Sequence, residues 1–296
     1  YKHALSVGGS LLVLAESRGD LRPDPQFDGI NIISLAVQED TSLTFEVYVL
    51  IRGVNDELQR SVTIEIRSLS RHTSWYAPNF ERYRGSVIYR NKDGITDCNI
   101  LIFNEEKHLL EHLVKIISSV DPDILMGWEI QGGSLGFIAE RAGYLGINLL
   151  KSISRTPSYE LKQRIGDPAN SKLFSEISEA SIANIGLRVA VVQDEWARTH
   201  SSGIHVGGRI VLNIWRLMRS EVKLNIYSIE AVAEEVLRRK IPSIPYKVLN
   251  HWFINGLGQS RYRCISYLVE RVKLSLEIMY QLDMVKIILF YTSHFL

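Results

Sequence analysis

The chain has 296 residues, of which 46% are hydrophobic and 23% charged. Those proportions exclude a disordered or collagen-like chain and leave enough apolar surface for one large core or two small ones. The formal net charge is +1, so no global basic field announces nucleic acid, and none opposes it.

Residues 1–16, "YKHALSVGGSLLVLAE", hold a short apolar run behind a weak basic region, and do not read as a secretory signal. The next stretches are rich in β-branched and aromatic residues: 29–37 "GINIISLAV", 43–51 "LTFEVYVLI", 60–66 "RSVTIEI", 85–90 "GSVIYR" and 98–103 "CNILIF". With turn signals such as "KDG" at 92–94 between them, they predict antiparallel strands. Asn104 then predicts a helix cap, with Glu105 and Glu106 at the positive end of the dipole. Leu109, Leu110, Leu113, Val114, Ile116 and Ile117 form its apolar face. "DPD" at 121–123 ends it, "ILMGW" at 124–128 reads as a buried strand, and a second helix starts near Ser134.

Residues 151–205 carry the least pattern and read as a long excursion with some helix. "GGRIVLNIW" at 207–215 returns as a strand. Helices follow through "RLMRSE" and "YSIEAVAEEVLRRK", the latter bounded by Pro242 and Pro245. A last long helix places Ile265, Leu268, Val272, Leu276 and Met279 on one stripe. "KIILFYTSHFL" at 286–296 is apolar, and the C-terminal run is too short to span a bilayer, so no membrane is expected. Cys98 and Cys264 lack CxxC spacing, which argues against a disulfide scaffold and a cysteine-ligated metal, and for a reducing compartment. Strands followed by interleaved helices and short strands predict an α/β core, a central sheet flanked by helices.

Three stretches carry a resemblance: "SRGDLRPDPQFDGINIISLAV", "EEKHLLEHLVKIISSVDPDILMGWEIQGGSLGFIAERA" and "GGRIVLNIWRLMRSEVKLNIYSIEAVAEEVL". In this order they resemble the exonuclease domain of family B DNA polymerases, over residues 17–285, with 1–16 and 286–296 unmatched. The wording is most like a translesion member of that family. The resemblance implies a ribonuclease H-like fold with a central mixed sheet. It also implies a nuclear setting, a longer parent polymerase that uses Mg, template-primer DNA, and the parent's accessory subunits as partners. The unmatched ends suggest a fragment or an imperfect gene boundary.

Such exonucleases hydrolyse a phosphodiester with two metal ions, and hard cations need converging oxygen ligands. The family supplies carboxylates from D-x-E on the first strand, from an aspartate after a G-Y-N turn, and from Y-x-x-x-D on the last helix. Counting back from Pro23 puts Leu12 and Leu14 at D-x-E, or Ser10 and Leu12 with two extra residues. The second motif reads Trp128, Glu129, Ile130, Gln131, Gly132, Gly133, Ser134, so Ser134 replaces the aspartate and is expected to cap the helix. In the third, Tyr267 persists but Arg271 holds the aspartate position. Glu270 beside it is turned by about 100° around the helix. Asn213 replaces an aspartate common in the "GR…LD" strand. The expectation is an exonuclease fold without its metal site: no catalytic set, no metal, and no cofactor for this chain.

Three other readings stand beside it. His108 to His112, "HLLEH", matches the H-x-x-E-H zinc motif, although both histidines fall opposite the leucine stripe. A standalone metal-dependent nuclease, active or vestigial, is the alternative function, and an active one would use Glu129, Glu270 and nearby acids in a rearranged site. A binding module would touch DNA through Arg216, Arg219 and Arg271; basic groupings also occur at Lys223 and at Arg238, Arg239 and Lys240. The family's polymerase signatures, D-x-x-S-L-Y-P-S and Y-G-D-T-D-S, do not occur in this sequence, so DNA synthesis by this chain is not expected.

Overall fold

In a computed structural model, the structure describes residues 7–18, 21–39, 45–53, 84–91, 94–156, 203–255 and 259–284. Seven strands form one mixed sheet: β1 (Val7–Ala15), β2 (Ile30–Glu39), β3 (Glu46–Arg52), β4 (Arg84–Asn91), β5 (Gly94–Phe103), β6 (Ile124–Gly127) and β7 (Ile210–Asn213). Their order is β4-β5-β3-β2-β1-β6-β7. Helices α1 (Glu106–Val120), α2 (Leu135–Tyr144) and α3 (Leu149–Ser152) lie between β5 and β7 in the chain. After β7 come α4 (Ile214–Glu221), α5 (Ile229–Leu237), α6 (Tyr246–Ile254) and α7 (Gln259–Gln281). The predicted mixed sheet flanked by helices is therefore present.

The N-terminal segment supplies an interior strand of this sheet, between β2 and β6. β1 pairs antiparallel with β2, Leu12 opposite Ser34, and parallel with β6, Ser10 opposite Met126. Its run of nonpolar residues lacks the alternation that marks a half-exposed strand, because both of its faces are covered. Odd positions Leu11, Val13 and Ala15 join a core with α1 and α2 residues, among them Leu109, Leu113, Phe137 and Ile138. Leu14 joins the opposite core, with Ile32, Met126, Leu268, Val272, Leu276 and Met279, and Leu12 packs against it. The stripe predicted on the last helix is thus core.

Several local expectations change. β3 and β5 pair in parallel, whereas β2 with β3 and β4 with β5 are antiparallel as expected, and β1, which is not among the predicted strands, also pairs antiparallel with β2. The cap of α1 is Glu105 rather than Asn104, and it makes no side-chain cap bond. Glu106, in the first turn as predicted, is buried. β7 stops at Asn213, two residues short of the predicted end, because the Asn213 side chain accepts from the Arg216 backbone at 3.4 Å and starts α4. α1 ends as predicted, at Asp121 in the left-handed conformation, φ 50°. The strand expected at 60–66, most of the excursion at 151–205 and the tail at 286–296 lie outside the described residues.

Candidate functional site

The three motif segments converge on β1. Its short parallel ladder with β6 ends at Ser10 and Met126, and the turn beyond β6 continues the pairing. Val13 N–H donates to the Gly133 carbonyl at 3.0 Å, and the Ser134 hydroxyl donates to the Leu11 carbonyl at 2.8 Å. Two β1 groups left without a strand partner are thereby satisfied. Gly127 makes the approach possible: a Cβ there would lie 2.2 Å from Ser134 Oγ and 3.2 Å from the Leu11 carbonyl oxygen.

Ser134 stands at the N-cap position of α2, as expected, but its side chain makes no cap hydrogen bond. The hydroxyl is spent on β1 instead, and the residue is only 1% exposed. That is a correction to the predicted capping role. A hydroxyl can donate to a carbonyl and an ionised carboxylate cannot, so serine and aspartate are not interchangeable in this contact.

Leu12 and Leu14 share one β1 face with Gly8 and Ser10, because strand side chains alternate. None of these four is a carboxylate, so the choice between the two sequence alignments makes no difference. Leu14 is fully buried. Glu16, just past the strand, is committed to Arg52.

On α7, Tyr267 is buried and its hydroxyl accepts from the Ile244 backbone at 3.1 Å and from Arg271 Nη1 at 2.5 Å. The same Arg271 nitrogen lies 2.5 Å from Glu230 on α5. Burial would by itself raise the Glu230 carboxyl, but the hydrogen bond and charge of Arg271 outweigh it and hold the carboxyl below its usual range. The guanidinium at the aspartate position is therefore a partly buried cation neutralised within the fold.

Glu129, the residue in the asparagine position, is exposed and pairs with Arg22 at 3.8 Å. Glu270 is half-buried. Among the described residues, no three His, Cys, Asp or Glu side chains gather in a way that could hold a metal ion. The donor set does not fit the two-metal centre of the exonuclease chemistry, and no catalytic step is derived through it. His108 pairs with Glu105 at 3.8 Å, while the His112 ring lies 5.2 Å from Phe103. His112 is thus half-buried against an aromatic ring, where its helical position predicted water.

One cluster escaped the sequence reading. Glu106 accepts from the Ile30 N–H at 2.8 Å and from Arg141 at 3.0 and 2.9 Å, and lies 3.7 Å from Arg52. Arg141 also donates to the Pro25 and Gln26 carbonyls. Buried Asp28 pairs with Arg18 at 3.1 Å. Together they bind the loop after β1 to β2, β3, α1 and α2. The only signal was "DPQFD" followed by a strand, which marks a turn but not a buried ion network.

The basic candidates differ in kind. Arg238, Arg239 and Lys240 pair with Glu235, Glu277 and Glu234. Arg216 and Arg219 lie exposed on α4, and the Arg219 guanidinium stacks 4.9 Å from the centre of the Trp215 ring.

A mixed sheet in which β1 lies between antiparallel β2 and parallel β6, packed by a long C-terminal helix that carries the Tyr267 motif, defines a class. The chain belongs to DNA polymerase family B, exonuclease domain, whose family model matches residues 78–232, just over half of it. Its sheet and helices are those of the ribonuclease H-like exonuclease fold that the resemblance implied. Within the family, the chain is similar to DNA polymerase zeta catalytic subunits. It is 47% identical to that of Arabidopsis thaliana over 93% of this chain and 31% identical to that of Homo sapiens over 92%. The Saccharomyces cerevisiae subunit is 22% identical over 93%. The chain spans 13%, 7% and 15% of those proteins, respectively. No helix among the described residues is long and apolar enough to cross a membrane.

Proposed function

We propose that this chain is a catalytically inactive exonuclease-like domain of a zeta-like translesion polymerase catalytic subunit, with a structural and DNA-contacting role in DNA repair synthesis. One observation carries the reading. Where the family's chemistry needs converging carboxylates, this chain has a carboxylate-free β1 face, a serine bonded to Leu11 and an arginine neutralised by Glu230. On this reading the domain works in the nucleus beside the parent's template-primer DNA and the polymerase zeta accessory subunits. Magnesium then serves the parent's polymerase chemistry rather than this domain.

The test is incubation of the purified chain with a 5′-labelled single-stranded oligonucleotide in magnesium and in manganese. The expected result is no shortening beyond a metal-chelated control. Metal-dependent shortening that disappears in Glu129→Ala and Glu270→Ala would replace this reading with a rearranged nuclease. Metal analysis of the same preparation tests the zinc motif at His108 and His112, with no stoichiometric zinc expected.

A further inference from the structure

We infer that the outer face of α4 and the loop after it form a binding site for the phosphodiester backbone of single-stranded DNA, with Arg219 as its anchoring cation. This deepens the DNA-contacting part of the proposed function and rests on it.

Arg219 is exposed on α4, with its guanidinium 4.9 Å from the Trp215 ring centre and 5.9 Å from that of Tyr227. Both residues are held in place. Trp215 sits in the first turn of α4, where its backbone N–H donates to the Trp128 carbonyl at 3.0 Å. The Tyr227 hydroxyl donates to the Val222 carbonyl at 2.7 Å and accepts from the Leu224 N–H at 3.2 Å. Arginine stacked on an aromatic face keeps its N–H edge free and loses less freedom on binding.

That edge is unspent. No hydrogen bond or ion pair joins Arg219 to another described residue, in contrast with Arg238, Arg239 and Arg271, each held by a glutamate. A planar, pre-positioned fork of donors with no carboxylate in reach suits a bidentate phosphate oxygen pair. Lys223 lies exposed in the loop just past the end of α4, and Ile226 is 70% exposed beside Tyr227. A single strand presents base faces as well as phosphates, so it can use the apolar surface that a duplex, with its bases stacked inside, would leave uncovered. The one nearby carboxylate on the helix, Glu221, accepts from Ser220 at 3.5 Å.

The experiment is fluorescence anisotropy of a labelled oligothymidylate of about 20 nucleotides, long enough to span one such site, titrated with the full chain at several salt concentrations. Wild type, Arg219→Ala and Arg219→Lys are compared, with thermal unfolding of each. Arg219→Ala is expected to raise Kd roughly three- to tenfold and to lower the salt slope by about 0.7, the value for one single-strand phosphate. Arg219→Lys keeps the slope and the last-turn cation but loses the stacked fork, so its Kd lies between. Equal affinity and slope for all three proteins would overturn the site while leaving DNA contact elsewhere intact. Absence of binding by wild type at low salt would overturn the DNA-contacting reading as well. A duplex of the same length that binds as tightly would overturn the choice of single strand.

Discussion

At Ser134 the side chain's chemistry matters more than its size. Its hydroxyl gives the Leu11 carbonyl a proton that no carboxylate could give, inside a contact that Gly127 leaves just wide enough. Ser134→Ala should lower unfolding free energy by about 1 kcal/mol, the net worth of one hydrogen bond. Restoring the family's aspartate should cost more, about 1–3 kcal/mol, because two acceptors would then face each other out of water. Urea midpoints of the two variants check the order; Ser134→Asp as stable as wild type would refute it. Arg271 gives a second residue-scale test. Because Arg271 holds Glu230 below its usual 4.5, the pair's stabilisation is complete above that pH and is lost as pH falls through the lowered folded value. Wild type should therefore lose more stability than Glu230→Gln between about pH 5 and pH 3. Parallel acid-unfolding curves for the two would show that the pair does not carry this dependence.

At the element scale, the loop after β1 is held by charge. Glu106 is 8% exposed and faces Arg52 and Arg141, whose side chains are 16% and 14% exposed. Removing the shared carboxylate leaves two guanidiniums without it, so Glu106→Ala should destabilise the chain by about 3–5 kcal/mol. The Arg141 donors to Pro25 and Gln26 also lose their anchor, so limited proteolysis should cut within residues 21–28 sooner. A variant with wild-type midpoint and cleavage pattern would show that the network is dispensable. The sequence placed Glu106 correctly in the first turn of a helix, but the dipole argument carries no information on its burial. Its burial follows from the packing of α2 and the end of β3 over it, elements distant in sequence. The leucine stripe of α1 and the apolar stripe of α7 were legible because helical periodicity is local.

For the whole molecule, β1 decides whether there is a sheet. It bonds β2 on one side and β6 on the other, and its two faces enter the two cores. A chain lacking residues 1–15 should therefore lose cooperative unfolding altogether. Amide exchange of the intact chain should find Leu11, Val13 and Leu14 among its slowest residues. Fast exchange across β1 would mean that the sheet does not depend on it.

The sequence by itself determined most of the strands and helices around this centre, the α/β class, the family and the absence of acids at the three motif positions. Each of these depends on local periodicity or on residue identity at a fixed spacing. Only the tertiary structure decided that the apolar run near the N-terminus is an interior strand between β2 and β6. It also decided that Ser134 bonds a carbonyl 123 residues away in the chain and that Arg271 is neutralised while Arg219 is not. Those outcomes depend on which groups long-range packing brings within hydrogen-bonding distance, and no spacing along the chain encodes that distance.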